Sequence, residues 1–278
     1  MQRTDFSWAD ELTTLRLATD DRGVATITMD RPQVRNAFND QLIAELTEAA
    51  RRLGAMPAVR VVVLTGAGEV FSAGGDLNWM RGMKDYSKGD NEADAVRMNA
   101  MFRTLYDLPK ALIGRVNGHA IAGGTGLTAV CDIVVATQSA KFGLTEVVLG
   151  LAPAVISPYV VRKIGVSHAR ALFVTGELFD ADRALRTGLI HQVVPDIEAL
   201  DQAVAAAVTR CLKAGPNAVS VAKRIPDLAA ATLEQATAIT PGLIAGLRIS
   251  EEGQEGMQAF LDKRPASWVP VDPAPAEG

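Results

Sequence analysis

The chain has 278 residues, 48% hydrophobic, 22% charged and 5% aromatic, a composition that excludes a disordered or fibrous chain and needs no disulfide or structural metal to build a core. Lys plus Arg number 28 against 32 Asp plus Glu, so the net charge is −4 and no global basic field exists to hold a nucleic-acid backbone. The two cysteines, Cys131 and Cys211, form no Cys-x-x-Cys pair, which argues against a metal or disulfide framework and fits a reducing, cytoplasmic location.

In chain order, the residues through Asp21 are polar and charged and lack the apolar run of a secretory signal. No span approaches the roughly 18 apolar residues of a membrane helix, so an unprocessed soluble protein is expected. Val24 to Met29 reads as a strand after this polar leader, broken by Asp30-Arg31-Pro32. From Leu42 to Leu53 apolar residues fall at helical spacing, with Asn39 as N-cap and Gly54 closing the end. Arg60 to Gly66 is a continuous β-branched run typical of a strand buried on both faces, followed by a Gly-rich loop and helix. The order recurs: strand Ala111 to Val116, Gly-rich Gly118 to Gly126, helix Leu127 to Val130, strand Ile133 to Ala136. After Gly150 helical segments dominate, and only Ile190 to Val194 reads as a strand. The pattern predicts an α/β core over 1–195, a helical region over 196–264 and an extended or disordered tail over 265–278, where four prolines fall.

Two Gly-rich loops, Phe71 to Leu77 and Gly118 to Gly126, each follow a strand and open a helix, where backbone N–H groups lack intrahelical partners and can face an anion or oxyanion. Glycines that only make tight turns would read the same way. Neither loop matches a P-loop or a dinucleotide fingerprint, which sets ATP and NAD aside. The chain has no H-E-x-x-H and no G-x-S-x-G, and His119, His168 and His191 have no metal-ligand spacing, so zinc and hydrolase-triad chemistry fall away.

The run Met29 to Asn39, the loop Phe71 to Leu77, the segment Gly118 to Asp132 and Phe142-Gly143-Leu144-Thr145-Glu146, in that order, resemble the crotonase (enoyl-CoA hydratase/isomerase) superfamily, and the similarity continues to Lys263-Arg264. It covers roughly residues 10–268. The resemblance implies a crotonase-like α/β spiral of β-β-α units with a C-terminal helical trimerisation region, assembling as a homotrimer or homohexamer. It also implies an acyl-CoA substrate whose thioester oxygen sits between the N–H groups of Gly75 and Gly123, each such donor contributing about 10² to 10³ in rate. Coenzyme A enters as part of the substrate, with no metal, redox cofactor, nucleic acid or membrane partner expected. Arg35, Ala37, Ala73 and Lys263 fall where the family contacts the coenzyme A portion, and Trp79 and Met80 where it lines the acyl pocket.

Hydratases of the superfamily use two glutamates. Here the second is Glu146, while the position of the first is occupied by Gly126. One glutamate suffices for syn addition of water, and equally for a proton shuttle between C2 and C4. A second departure, Pro153 to Val161, together with Asp76-Leu77-Asn78-Trp79-Met80, resembles bacterial 3-methylglutaconyl-CoA and isohexenylglutaconyl-CoA hydratases, whose acyl groups carry an extra carboxylate. Arg81, Lys84 and Arg97 are candidate partners for that carboxylate, and Ser157 either serves the substrate or caps the helix to Lys163. The expected function is hydration of a 2-enoyl-CoA, with 3-methylglutaconyl-CoA or a similar branched dicarboxylic acyl-CoA as substrate. The alternatives are an enoyl-CoA isomerase and a non-catalytic CoA-binding protein.

Overall fold

The computed structural model describes residues 6–228 and 231–270. Its core is a six-stranded sheet and a four-stranded sheet, fed alternately by the repeating unit. The large sheet contains β1 (Leu15–Thr19), β2 (Val24–Met29), β3 (Val61–Gly66), β5 (Ala111–Val116), β7 (Ile133–Thr137) and β10 (Gln192–Val194). The small sheet contains β4 (Val70–Ser72), β6 (His119–Ile121), β8 (Lys141–Gly143) and β9 (Leu178–Asp180). Each of the pairs β3/β4, β5/β6 and β7/β8 sends its first strand to the large sheet and its second to the small one. This is the α/β spiral expected, and β2, β3, β5, β7 and β10 run parallel while β1 pairs antiparallel with β2.

The helices that close these units are α1 (Asp40–Ala55), α2 (Leu77–Gly82), α3 (Lys88–Tyr106) and α4 (Gly123–Val130). They are followed by α5 (Ser157–Thr175), broken at Gly165, then α6 (Ala181–Thr187) and α7 (Ile197–Lys213). α8 (Pro216–Ala222), α9 (Ile225–Leu228), α10 (Leu233–Ile249) and α11 (Glu251–Leu261) complete the chain. Asn39 caps α1 by accepting from Leu42 N–H, as its position predicts, but the helix runs one residue past Gly54 to Ala55. The stretch Gly118 to Gly126 is not a loop throughout: His119–Ile121 is held between β4 and β8 as a strand, and the helix begins at Gly123.

Two apolar layers flank the large sheet. One buries Leu42, Leu46 and Leu53 of α1 with Phe102 and Leu105 of α3 against Ile27, Leu64 and Leu112. The other buries Leu200, Val204, Val208 and Leu212 of α7 against Val61, Val63, Ile113 and Val135. α7, in the helical region expected over 196–264, packs directly on the sheet. The start of the tail folds back as well: Arg60 donates to Trp268 O at 2.9 Å, Trp268 Nε1 donates to Lys213 O at 3.2 Å, and Ser267 N–H donates to Glu255. Residues 271–278 of the expected tail lie outside the described residues. Among the described residues no helix is long and apolar enough to cross a membrane.

β1, read as polar leader, is pinned by a buried carboxylate. Glu45 of α1 accepts from Thr13 N–H, Thr14 N–H, both threonine hydroxyls and Gln41, at 2.5–2.9 Å. Burial alone would raise its pKa, but these donors outweigh it and hold the carboxyl below the ordinary glutamate value. A depressed folded pKa gives stability that is present above the unfolded value and lost as pH falls through the folded one. Glu45→Gln, which turns an acceptor toward two donors as a donor, is expected to lose about 2 kcal/mol at pH 7 in urea unfolding, with the deficit shrinking toward pH 3.

Candidate active site

The small sheet sets the site. β4, β6 and β8 are adjacent and parallel, so their C-terminal ends open on one edge. The chain leaves β4 at Ser72 toward Gly75, leaves β6 at Ile121 toward Gly123, and leaves β8 at Gly143 toward Glu146. Three residues far apart in sequence therefore emerge from neighbouring strand ends, the edge at which open parallel sheets present their loops to ligands.

The two glycine loops are in contact. Gly74 has φ +86°, and a Cβ there would lie 3.0 Å from both Ala122 Cβ and Ile121 O and 3.7 Å from Gly123 N, so only glycine tolerates the turn and the approach together. Ala122 has φ 49°, a conformation costing an alanine on the order of 1–3 kcal/mol, held by its N–H donating to Gly143 O at 2.8 Å. That strained residue turns the chain so that Gly123 opens α4 with its N–H outside the helical ladder.

Gly75 is oriented by a strand-like bridge to Phe38. Phe38 N–H donates to Gly74 O at 2.6 Å and Asp76 N–H donates to Phe38 O at 2.8 Å, so the intervening Gly75 turns its own N–H to the opposite side. Among the described residues neither Gly75 N–H nor Gly123 N–H meets an acceptor. Two fixed, unused donors from abutting loops are what a developing oxyanion requires.

Glu146 lies in a short 3-10 turn, Thr145–Leu149, directly after β8. Its Oε2 is buried without a hydrogen-bond partner, and burial pushes its pKa above the ordinary glutamate value. Such a carboxyl holds a proton more readily than an exposed glutamate does, and it can take one up and give one back. The indole Nε1 of Trp79 is likewise buried and unpartnered, and the rings and thioether of Trp79 and Met80 lie 3.2–3.9 Å from where a Cβ of Gly75 would stand.

Sequence reasoning passed over the contacts of Arg31 and Asn36 that hold these loops. Arg31, 14% exposed, bridges to Asp76, 7% exposed, at 2.8 Å, and its guanidinium also donates to Ala37 O. Asp76 in turn accepts from Asn78 N–H at 2.8 Å and starts α2. Asn36, fully buried, donates to Ala67 O and Val70 O and accepts from Arg31 N–H. Ser72 Oγ donates to Asn36 O at 2.9 Å, and Thr125 Oγ1 lies 2.7 Å from Ala120 O and 2.8 Å from Gly143 O, structural turn-locking roles for both.

The remaining candidates divide. Arg35 is exposed, its carbonyl accepts from Ala73 N–H at 3.0 Å, and Ala37 is buried beside it, so these three are gathered next to the Gly75 loop. Lys263 is exposed just past α11, and no described hydrogen bond or ion pair connects it to either loop. Arg97 is engaged by Asp94 at 2.9 Å and Arg81 by Asn78 at 2.8 Å, while Lys84 is exposed. Ser157 does not cap α5: Ile156 is the N-cap residue, and Ser157 Oγ donates to Ala154 O. Cys131 is fully buried with its thiol pushed up to about 12. His119 and His191 accept from Lys141 N–H and Val134 N–H, and among the described residues no three His, Cys, Asp or Glu side chains gather as metal ligands.

The chain is similar to known proteins over most of its length. The sequence profile described as Enoyl-CoA hydratase/isomerase matches residues 19–270. A putative enoyl-CoA hydratase of Thermus thermophilus is 34% identical over 243 residues, covering 87% of this chain and 96% of that protein. The 2,3-dehydroadipyl-CoA hydratase of Escherichia coli is 32% identical, covering 87% and 93%. The crystal structure of an enoyl-CoA hydratase from Shewanella pealeana superimposes with a TM-score of 0.89 at 35% identity, over 94% of this chain and 97% of that one. With the fold, the paired loops and these likenesses in agreement, the chain belongs to the enoyl-CoA hydratase/isomerase family.

Proposed function

We propose that this protein is an enoyl-CoA hydratase adding water across the C2–C3 double bond of a 2-enoyl-CoA. The observation that carries the reading is the buried, unpartnered carboxylate oxygen of Glu146 at the strand edge shared with the two unused donors. In this mechanism Gly75 and Gly123 N–H bind the thioester oxygen. Glu146 takes a proton from water as that oxygen attacks C3, the electron pair of the double bond moves into the thioester as an enolate, and the same carboxylic acid returns a proton to C2. Atoms balance with one water consumed, and the carboxylate ends as it began. Placing two donors where the enolate charge develops contributes roughly 3–4 kcal/mol per donor to the barrier reduction.

For the substrate, 3-methylglutaconyl-CoA or a similar branched dicarboxylic acyl-CoA is the finer reading. It is supported by the Ile-Ser-Pro-Tyr-Val segment and by a relative named for an acyl group that ends in a free carboxylate. Arg35, Ala37, Ala73 and, from a neighbouring subunit's side, Lys263 are the proposed contacts to the coenzyme A portion. A homotrimer or homohexamer is the proposed assembly, supported by α10, which has no buried residue and exposes Leu233, Ile239, Ile244 and Ile249.

The test is incubation with crotonyl-CoA and 3-methylglutaconyl-CoA in ¹⁸O-labelled water with mass analysis of the acyl products. Label in a 3-hydroxyacyl product is expected, with the dicarboxylic substrate the faster. Label from crotonyl-CoA alone would overturn the substrate reading, and no label from either would overturn hydration.

A further inference from the structure

Position 126 is closed to any side chain. A Cβ on Gly126 would lie 2.4 Å from Ile156 Cγ2, 3.0 Å from Ile156 Cβ and 3.0 Å from Phe102 Cε1. Real Cβ atoms do not come within 2.4 Å of a neighbour and seldom within 3.0 Å, and neither neighbour can yield by swinging a free end. Ile156 is β-branched and 3% exposed, and its carbonyl is fixed as the N-cap of α5 by Tyr159 N–H and Val160 N–H, each at 3.1 Å. Phe102 is fully buried between Phe38 and Tyr159, with ring centroids 6.2 and 6.1 Å away.

Phe38 also stands over Gly123, its Cε2 2.6 Å from where a Cβ would be. Gly123 and Gly126 are three residues apart and share one face of α4, so a continuous apolar roof of Phe38, Phe102 and Ile156 covers that face. The two departures noted in the sequence, a glycine at 126 and the Pro153 to Val161 segment, are therefore one packing unit.

Resting on the hydratase reading above, we propose that Ile156 is the residue that makes this a one-carboxylate site. Its side chain occupies the volume an acid at position 126 would need, keeps a second carboxylate and its water from that wall of the acyl site, and leaves both proton transfers to Glu146. Position 126 can accept a functional side chain only when Ile156 is cut back.

The experiment compares wild type, Gly126→Ala, Gly126→Glu, Ile156→Ala and the two doubles by thermal unfolding and by kcat/KM against pH with crotonyl-CoA. Gly→Ala inside a helix is ordinarily stabilising. Here Gly126→Ala is expected to lower Tm by roughly 3–6 °C in the wild-type background and by much less beside Ile156→Ala. Gly126→Glu/Ile156→Ala is expected to show a second carboxylate ionisation in its pH profile, absent from wild type and from Ile156→Ala, a readout that packing alone would not move. Gly126→Ala as stable as wild type, or the same penalty in both backgrounds, would overturn the packing claim. A double variant that turns over substrate with only the wild-type ionisation would overturn the claim that Ile156 excludes a second acid. Failure of wild type to hydrate any 2-enoyl-CoA would instead overturn the reading on which the proposal rests, and the thermal coupling would still report on Ile156.

Discussion

Glu146→Gln is expected to lower kcat for enoyl-CoA hydration by about 10²- to 10⁴-fold while leaving CoA binding intact. The amide has the shape of the carboxyl, so no cavity opens, but it can neither take a proton from water nor return one to C2. Because Oε2 is buried without a partner, replacing a charged group there by a neutral one relieves a desolvation cost. Tm is therefore expected to stay level or rise, the opposite of what loss of a structural carboxylate would do. The pH dependence separates the cases further. Burial raises the pKa of Glu146, so the acid limb of wild-type kcat/KM should lie above the roughly 4.3 of an ordinary glutamate, with activity rising as pH climbs through it. In the variant that limb should disappear. Wild-type turnover in Glu146→Gln would take the residue out of the chemistry and leave a non-catalytic CoA-binding role standing.

Much of this architecture was legible because it is local. A β-branched run such as Val61 to Leu64 is buried along its whole length and reads as a central parallel strand without further context. The glycine loops and Glu146 were legible through their ordered motifs. β1 was not, because only Leu15 of its five residues is buried and its existence depends on pairing with β2 across a turn at Asp20 to Gly23. α3 buries only Asp94, Met101, Phe102 and Leu105, too few for a clear apolar stripe. Its start nevertheless carried a signal, the capping box in which Ser87 and Asp90 each accept from the other's backbone N–H. β9 is three residues long and is a strand only because β8 lies beside it. The contacts that align the site are the least legible of all: Arg31 and Asp76 are 45 residues apart, and Gly126 and Ile156 are 30 apart. Each residue is visible in the sequence, but a periodicity has no means of reporting that two particular side chains touch.

Asp76→Ala is expected to cost roughly 3–5 kcal/mol in urea unfolding and to reduce kcat as well, because it strips a buried guanidinium of its partner and frees the loop that presents Gly75. Arg31, 14% exposed in the wild type, would keep its bond to Ala37 O but lose the one carboxylate paired with it among the described residues, while Asn78 N–H and Trp79 N–H at the start of α2 would lose their acceptor. Displacement of an oxyanion donor by even about 1 Å can cost on the order of 10²-fold in rate, so the kinetic loss should exceed what the unfolded fraction explains. Asp76→Asn is the informative companion: it can still accept from Asn78 N–H but cannot neutralise Arg31, so its loss isolates the ion pair from the helix cap. The pH dependence follows the same logic. Burial alone would raise the Asp76 pKa, but the bonds from Asn78 and Arg31 outweigh it and hold the carboxyl below the ordinary aspartate value. The stability it supplies is thus complete above the unfolded value of about 3.9 and is lost as pH falls through the folded one. The gap between wild type and Asp76→Ala should therefore be widest at neutral pH and narrow below pH 4, whereas a variant within about 1 kcal/mol of wild type at pH 7 would place the pair with ordinary surface ion pairs and leave the Phe38 bridge alone to orient Gly75.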